Sequence, residues 1–340
     1  MQKSAKCCFA CLFCLVLSLC CLGAASADSI DVGGTYNLSR MKAPININTA
    51  EAITLKGKLS GAIDCTVEKA NVTLHDVKVT SRNDCVLTFT GTGNTLTLTG
   101  KNSLKSGNGC PGIRVEEGTE LTINGEGSLT AAGGDGGAGI GGGDCAVGGT
   151  IVIESGKITA KGGYNAAGIG GGSCREGGTT VISGGTVKAT GGLYGAGIGG
   201  GIDRGGGTIL ITGGTVDAAG HKGGGSGIGH GWDSMARSVK GGEITITGGT
   251  VKAIGGSGSP GIGTGSSTSG GKITIEGGTL TTTNIESGGQ DSGDGFITIS
   301  GGTVVAKTGI GNAYDIAISG GDIQTAGGDF APGIGAVNSI

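Results

Sequence analysis

The segment Gly139-Ile140-Gly141-Gly142-Gly143 recurs, and its recurrence restricts the fold more than any other feature of the chain. The Gly-Ile-Gly core returns at Gly168-Ile169-Gly170, Gly197-Ile198-Gly199, Gly227-Ile228-Gly229, Gly261-Ile262-Gly263, Gly309-Ile310-Gly311 and Gly333-Ile334-Gly335. The first three copies lie 29 residues apart and the fourth follows after 30. A period of that length marks a repeat architecture, in which each unit buries its apolar edge against the next.

Between the anchors the apolar residues fall into two further columns. One holds Ile153, Ile182, Ile211, Ile246, Ile275, Ile299 and Ile318; the other holds Ile158, Val187, Val216, Val251, Leu280, Val304 and Ile323. Around each, apolar and polar residues alternate with period two, as in Thr150-Ile151-Val152-Ile153, which is the pattern of a half-buried strand. Glycine pairs such as Gly184-Gly185 and Gly213-Gly214 separate the two columns and supply the positive φ of a sharp turn. Winding the chain once per unit stacks like on like, ~4.8 Å apart. Each buried Ile or Val then stabilises by ~1.5–3 kcal/mol, and in-register parallel strands satisfy nearly every backbone group between the two ends. The expected fold is all-β, a right-handed parallel β-helix (β-solenoid) with about three short strands per rung.

Composition agrees. The 82 glycines among 340 residues follow no three-residue period, which excludes collagen, and the Ile and Val between them exclude a disordered Gly/Ser linker. With 5 Phe and 1 Trp the chain cannot fill a wide core, whereas a solenoid interior is narrow and suits Ile, Val and Ala. A net charge of −3 gives no basic field for nucleic acid.

The first residues read as a signal peptide over 1–27. Lys3 and Lys6 precede an apolar run from Cys7 to Leu22, and Ala25-Ser26-Ala27 forms a small-residue cleavage site before Asp28. A run of about 16 apolar residues is short for a membrane span, and no later segment could cross. The expected location is secreted or cell-surface, without membrane insertion after cleavage. Residues 28–60, with short extended pieces such as Ile45-Asn46-Ile47-Asn48, are expected to form an irregular N-terminal cap, and residues 61–340 the parallel β-helix repeats.

Six of the 11 cysteines leave with the leader; Cys65, Cys85, Cys110, Cys145 and Cys174 remain. Cys145 and Cys174 are 29 residues apart, one repeat, which places them on adjacent rungs and predicts a bridge between them. Cys65 and Cys85 pair likewise in this reading, leaving Cys110 over. Beyond the leader the chain has no CxxC or HxxxH spacing, so neither zinc nor another cofactor is expected.

Variation between repeats concentrates at two corners. One follows the Gly-Ile-Gly strand and holds Asp144-Cys145, Ser173-Cys174, Ile202-Asp203-Arg204 and Trp232-Asp233; the other precedes it and holds Tyr164, Tyr194 and His221-Lys222. On a solenoid such corners line up into one surface, where binding resides. Trp232, with His230 and Asp233 beside it, supplies a ring for a sugar to stack on and polar groups to orient hydroxyls. Tyr164, Tyr194 and His221 extend that surface. A β-helical polysaccharide lyase needs carboxylates and a Lys or Arg base in one groove, for which Asp144, Arg175, Glu176, Asp203 and Arg204 are the candidates. Outward residues beside the Ile158 column (Thr159, Lys188, Asp217, Lys252, Thr281, Val305, Gln324) vary in charge and read as a solvated face.

The run Gly107-Asn108-Gly109-Cys110-Pro111-Gly112-Ile113, then Leu121-Thr122-Ile123, then Gly133-Gly134-Asp135-Gly136-Gly137-Ala138 leading into Gly139-Ile140-Gly141-Gly142-Gly143, resembles the glycine-rich repeats of exported bacterial surface proteins. Those proteins are similar to β-helical carbohydrate-binding domains and adhesins. The resemblance covers roughly residues 60–340 and implies a non-catalytic surface protein whose partner is a glycan or a host surface. The competing expectations are a polysaccharide lyase or hydrolase and a purely structural module.

Overall fold

The computed structural model describes residues 27–232, 241–264, 270–288, 294–327 and 333–335. Each strand pairs with its equivalent one coil later, and the ladders run parallel throughout. Three faces result. The Gly-Ile face stacks Ile140–Gly141, Ile169–Gly170, Ile198–Gly199, Ile228–Gly229 and Ile262–Gly263. The Ile153 face stacks Thr150–Ile153, Thr179–Ile182, Thr208–Ile211, Glu243–Ile246 and Lys272–Ile275. The Ile158 face stacks Lys157–Lys161, Thr186–Thr190, Thr215–Ala219 and Thr250–Ile254. The fold is a parallel β-helix.

The apolar columns align residue on residue. Ile153 lies over Ile182 and Ile211, and Ile158 over Val187 and Val216, each at most 1% exposed. A further inward column is Ala160, Ala189, Ala218 and Ala253. Its small side chains let the Ile158 face close on the other two, so the interior stays narrow enough for aliphatic residues to fill. Between the Ile153 and Ile158 faces the chain turns on a glycine pair. The second glycine has φ between 77° and 86° at Gly185, Gly214, Gly249, Gly278 and Gly302, where an L side chain is strained.

The winding begins earlier than the sequence suggests. Asp28–Ile30 pairs with Ile45–Ile47, which pairs with Ile63–Cys65, and Gly34–Asn37 pairs with the long strand Ile53–Ser60. Residues 28–60 are therefore coils with buried Ile30, Ile45, Ile47 and Ile53, with a 3-10 turn at Leu38–Arg40. These coils are shorter than the later ones and lack the Gly-Ile-Gly anchor, which is why the repeat pattern does not reveal them.

A second difference falls between the anchors at Ile262 and Ile310. The Gly-Ile face takes in Ile285–Gly288 there, with Ile285 stacked between Ile262 and Ile310. Glu286 thus stands in a row otherwise occupied by Gly263 and Gly311.

Early coils turn without glycine pairs at some corners, and asparagine takes over. Asn94 is fully buried: its Oδ1 accepts from the Ala70 N–H of the preceding coil, and its Nδ2 donates to the carbonyls of Thr90, Gly91 and, in the following coil, Glu120. Asn102 repeats the device between Val77, Thr99 and Ser128. Each side chain satisfies backbone groups of three successive coils that would otherwise be orphaned.

Candidate functional site

The two variable corners meet. Ser173 N–H donates to the Gly136 carbonyl, Ile202 N–H to Asn165 and Trp232 N–H to Tyr194 at 2.7 Å, so each corner that follows a Gly-Ile strand is sewn to the preceding-corner loop of the coil before. A continuous ridge results, in which the Gly-Ile strands themselves are buried.

Three aromatic side chains share that ridge. Tyr164, 52% exposed, meets Tyr194 edge to face with centroids 6.3 Å apart. Trp232 is half-buried, and its backbone is held at both ends, since its carbonyl accepts from Asp203 N–H at 2.8 Å. Its ring covers the next two loops: a Cβ on Gly224 would lie 2.7 Å from the indole, and one on Gly258 3.3 Å from it. The indole therefore replaces side chains that those loops lack. His221 is exposed beside it, with Nδ1 accepting from Gly223 N–H at 3.1 Å. Tyr164 and Tyr194 thus touch, and Trp232 and His221 lie on the adjoining loops of the same ridge.

His230 is not part of this surface. It is 1% exposed, with Nδ1 bonded to the Gly231 carbonyl. Position 230 follows the Gly-Ile strand directly and points inward under the corner, so it cannot reach a ligand on the ridge. Asp233 lies outside the described residues.

The cysteine pairing also differs. The disulfide joins Cys85 to Cys110, and no bridge joins Cys145 to Cys174 or Cys65 to Cys85. Cys145 and Cys174 do hold equivalent places, with the same left-handed φ of 60° and 57°. Equivalent residues of in-register coils carry parallel Cα–Cβ bonds, so their Cβ atoms keep the full coil spacing of ~4.8 Å. A disulfide needs about 3.5–4.5 Å. Cys145 Sγ instead points to the Asp144 carboxylate, and Cys174 Sγ accepts from Ser173 Oγ. Cys65 lies in the core, where burial and then the Asp64 charge push its thiol pKa up.

Of the lyase candidates, Arg175 donates from Nε to the Cys145 carbonyl at 2.8 Å, and Arg204 donates to the Asp203 carbonyl. Asp203 is 9% exposed in a left-handed turn. Glu176 alone among them faces a groove of about 430 Å³, floored by glycines of successive coils and shared with Glu243, Lys272 and Asp294. Lys272 Nζ and Glu243 Oε1 form an ion pair there at 3.0 Å. Among the described residues no cluster of His, Cys, Asp and Glu could hold a metal ion.

One carboxylate escaped the sequence reading. Burial pushes the Glu286 pKa up, against hydrogen bonds from Asn312 and Asn284 that lower it. The signal was the rung at Ile285, which breaks the Gly-Ile-Gly pattern.

Six segments, 121–144, 151–173, 181–202, 209–229, 244–266 and 297–314, match the family model described as the beta helix repeat. No curated protein and no solved structure matches the chain. The matched segments each begin in the Ile153 face and run on through the rest of a coil, one winding at a time, in keeping with the parallel β-helix.

Proposed function

We propose that this chain is an exported, non-catalytic β-helix that recognises carbohydrate on the corner ridge, as an adhesion or glycan-binding module outside the cell. The observation that carries the reading is the Tyr164–Tyr194 edge contact continued by the Trp232 ring, a strip of aromatic surface over successive coils. Sugar rings present apolar C–H faces, which stack on such rings, while the exposed His221 orients hydroxyls. The leader-like first residues and the Cys85–Cys110 disulfide support an oxidising, extracytoplasmic compartment.

A second reading, a polysaccharide lyase or hydrolase, draws on the glycine-floored groove lined by Glu176, Glu243, Lys272 and Asp294. A glycan array probed with the mature chain, beside lyase and hydrolase assays on the glycans retained, separates the two. Retention without turnover, lost in Tyr164→Ala/Tyr194→Ala, is the expected result. Turnover abolished by Glu243→Gln would establish the enzyme instead, and neither retention nor turnover would leave a structural module.

A further inference from the structure

The Ile158 face reads as an ordinary solvated surface when its outward residues are taken in sequence, because one column mixes Thr, Lys, Asp and Val. The register changes that. Across six consecutive strands the outward positions are Lys58 and Ser60, then Lys78 and Thr80, then Lys101, Ser103 and Lys105. The following coils add Ser128, Thr130 and Ala132, then Lys157, Thr159 and Lys161, then Thr186, Lys188 and Thr190. Every lysine among them is exposed, and the other positions of this set are hydroxyls and one alanine. Among the described residues none of these lysines lies within ion-pair distance of an acid. The acidic residue that interrupts the column, Asp217 in the next coil, is engaged with Lys252 at 3.9 Å.

This arrangement is unfavourable as it stands. Lys58 and Lys78 are direct register partners, so two ammonium groups on adjacent coils face the same way. Like charges opposite one another in a sheet destabilise it. The chain as a whole is acidic, at −3, so the positive face is a local feature of the coils. The surface is also concave at one edge. A groove of about 660 Å³ is lined by Ser60, Thr80, Arg82 and Lys105, with Asp84 beside them accepting from Ser81 Oγ. Asp76 stands within the strand Asn71–Thr80, at the near end of the face, where its Oδ1 accepts from the Lys101 N–H at 2.8 Å. Glu126 and Glu154 sit at the turns along that edge and Asp135 at the corner, outside the strands.

We propose that this face is a docking surface for an acidic polysaccharide, a chain of sugars bearing carboxylate or sulfate groups. Six strands at ~4.8 Å span roughly 24 Å, enough for several sugar units of an extended polymer lying along the helix axis. The lysines supply the counter-charge, and the intervening Ser and Thr hydroxyls match the sugar hydroxyls that alternate with the acid groups. Free phosphate or a compact anion would fill only a fraction of such a surface. The inference stands apart from the aromatic ridge, so either can fail without the other.

The test is retention of the full mature chain on immobilised polygalacturonate, with neutral dextran as control, at low and at high salt. Retention on polygalacturonate alone, falling as salt rises, is expected, because exposed charge pairs are screened. The variant Lys78→Gln/Lys105→Gln/Lys157→Gln/Lys161→Gln should bind on the order of tenfold more weakly and melt no earlier than the parent, since it removes repulsion. Tyr164→Ala/Tyr194→Ala should leave this retention unchanged, which distinguishes it from ridge binding. Equal affinity for dextran, retention indifferent to the four substitutions, or stronger binding to phosphatidylserine vesicles or duplex DNA than to polygalacturonate would each overturn the proposal.

Discussion

Cys85 and Cys110 are bridged across adjacent coils with Cα atoms 4.9 Å apart, one residue out of the register that pairs Thr88 with Arg114. The offset in the strand is 26 residues, and the two cysteines are 25 apart. That slip, next to the left-handed Gly109, turns the two Cα–Cβ bonds toward one another. Stacked cysteines in strict register lack it. A peptide map of the unreduced mature chain should therefore recover a Cys85–Cys110 cross-link and no Cys145–Cys174 cross-link. Cys85→Ser should cost about 3–4 kcal/mol on the loop-entropy account, read as a fall in the denaturant midpoint. A Cys145–Cys174 peptide in the map would contradict the register argument.

At Gly141, Gly170, Gly199 and Gly229 the second residue of the Gly-Ile strand tolerates no side chain. Gly170 has φ of 125°, and a Cβ built there falls 2.2 Å from the Gly199 carbonyl of the next coil. That contact cannot relax without separating two coils. Gly118 also has a positive φ, of 81°, yet a Cβ there meets nothing within 4 Å. Gly118→Ala should thus cost about 1–2 kcal/mol, the left-handed penalty by itself. Gly170→Ala should cost roughly 3 kcal/mol or more, as backbone strain and a packing conflict combine. Urea midpoints for the two variants measure the difference, and equal losses would show that backbone conformation alone sets the glycine requirement.

Legibility in the sequence followed the chemistry of stacking. The columns through Ile153, Ile158 and Ile140 could be read directly, because each coil repeats the same residue type at the same phase and the register pairs them as aligned. The coils from Asp28 to Ser60 could not, since they close at a different length and bury Ile30, Ile47 and Leu55 without the anchor. Tyr164, Tyr194 and Trp232 were visible as corner residues. His230 beside them was misplaced, because sequence adjacency does not tell an inward position from an outward one where a strand gives way to a turn. The cysteines failed for a directional reason: the period gives Cα spacing and says nothing about where Cβ points. The lysine face needed the register itself, as Lys58 and Lys78 are 20 residues apart while Lys157 and Lys188 belong to longer coils.

Glu286 gives the chain a pH dependence with a defined sign. Burial dominates its environment and raises its pKa, and the hydrogen bonds from Asn312 and Asn284 offset only part of that. The folded state therefore binds the proton more tightly than the unfolded chain does, and stability falls as pH climbs from the ordinary glutamate range through the raised value. Below that range both states are protonated and the contribution is fully present. Glu286→Gln removes the charge while keeping the shape. Its Oε1 still accepts from Asn284, and the Asn312 amide, whose Nδ2 stands 3.4 Å from Glu286 Oε2, can turn to present its oxygen to the new amide. The variant should therefore match the parent at about pH 4 and exceed it in stability at about pH 8, where the parent carries a half-buried carboxylate. Denaturant midpoints of both chains across that interval measure the gap. A gap of the opposite sign, with the glutamine chain weaker at the higher pH, would mean that the two asparagines stabilise the carboxylate more than burial penalises it.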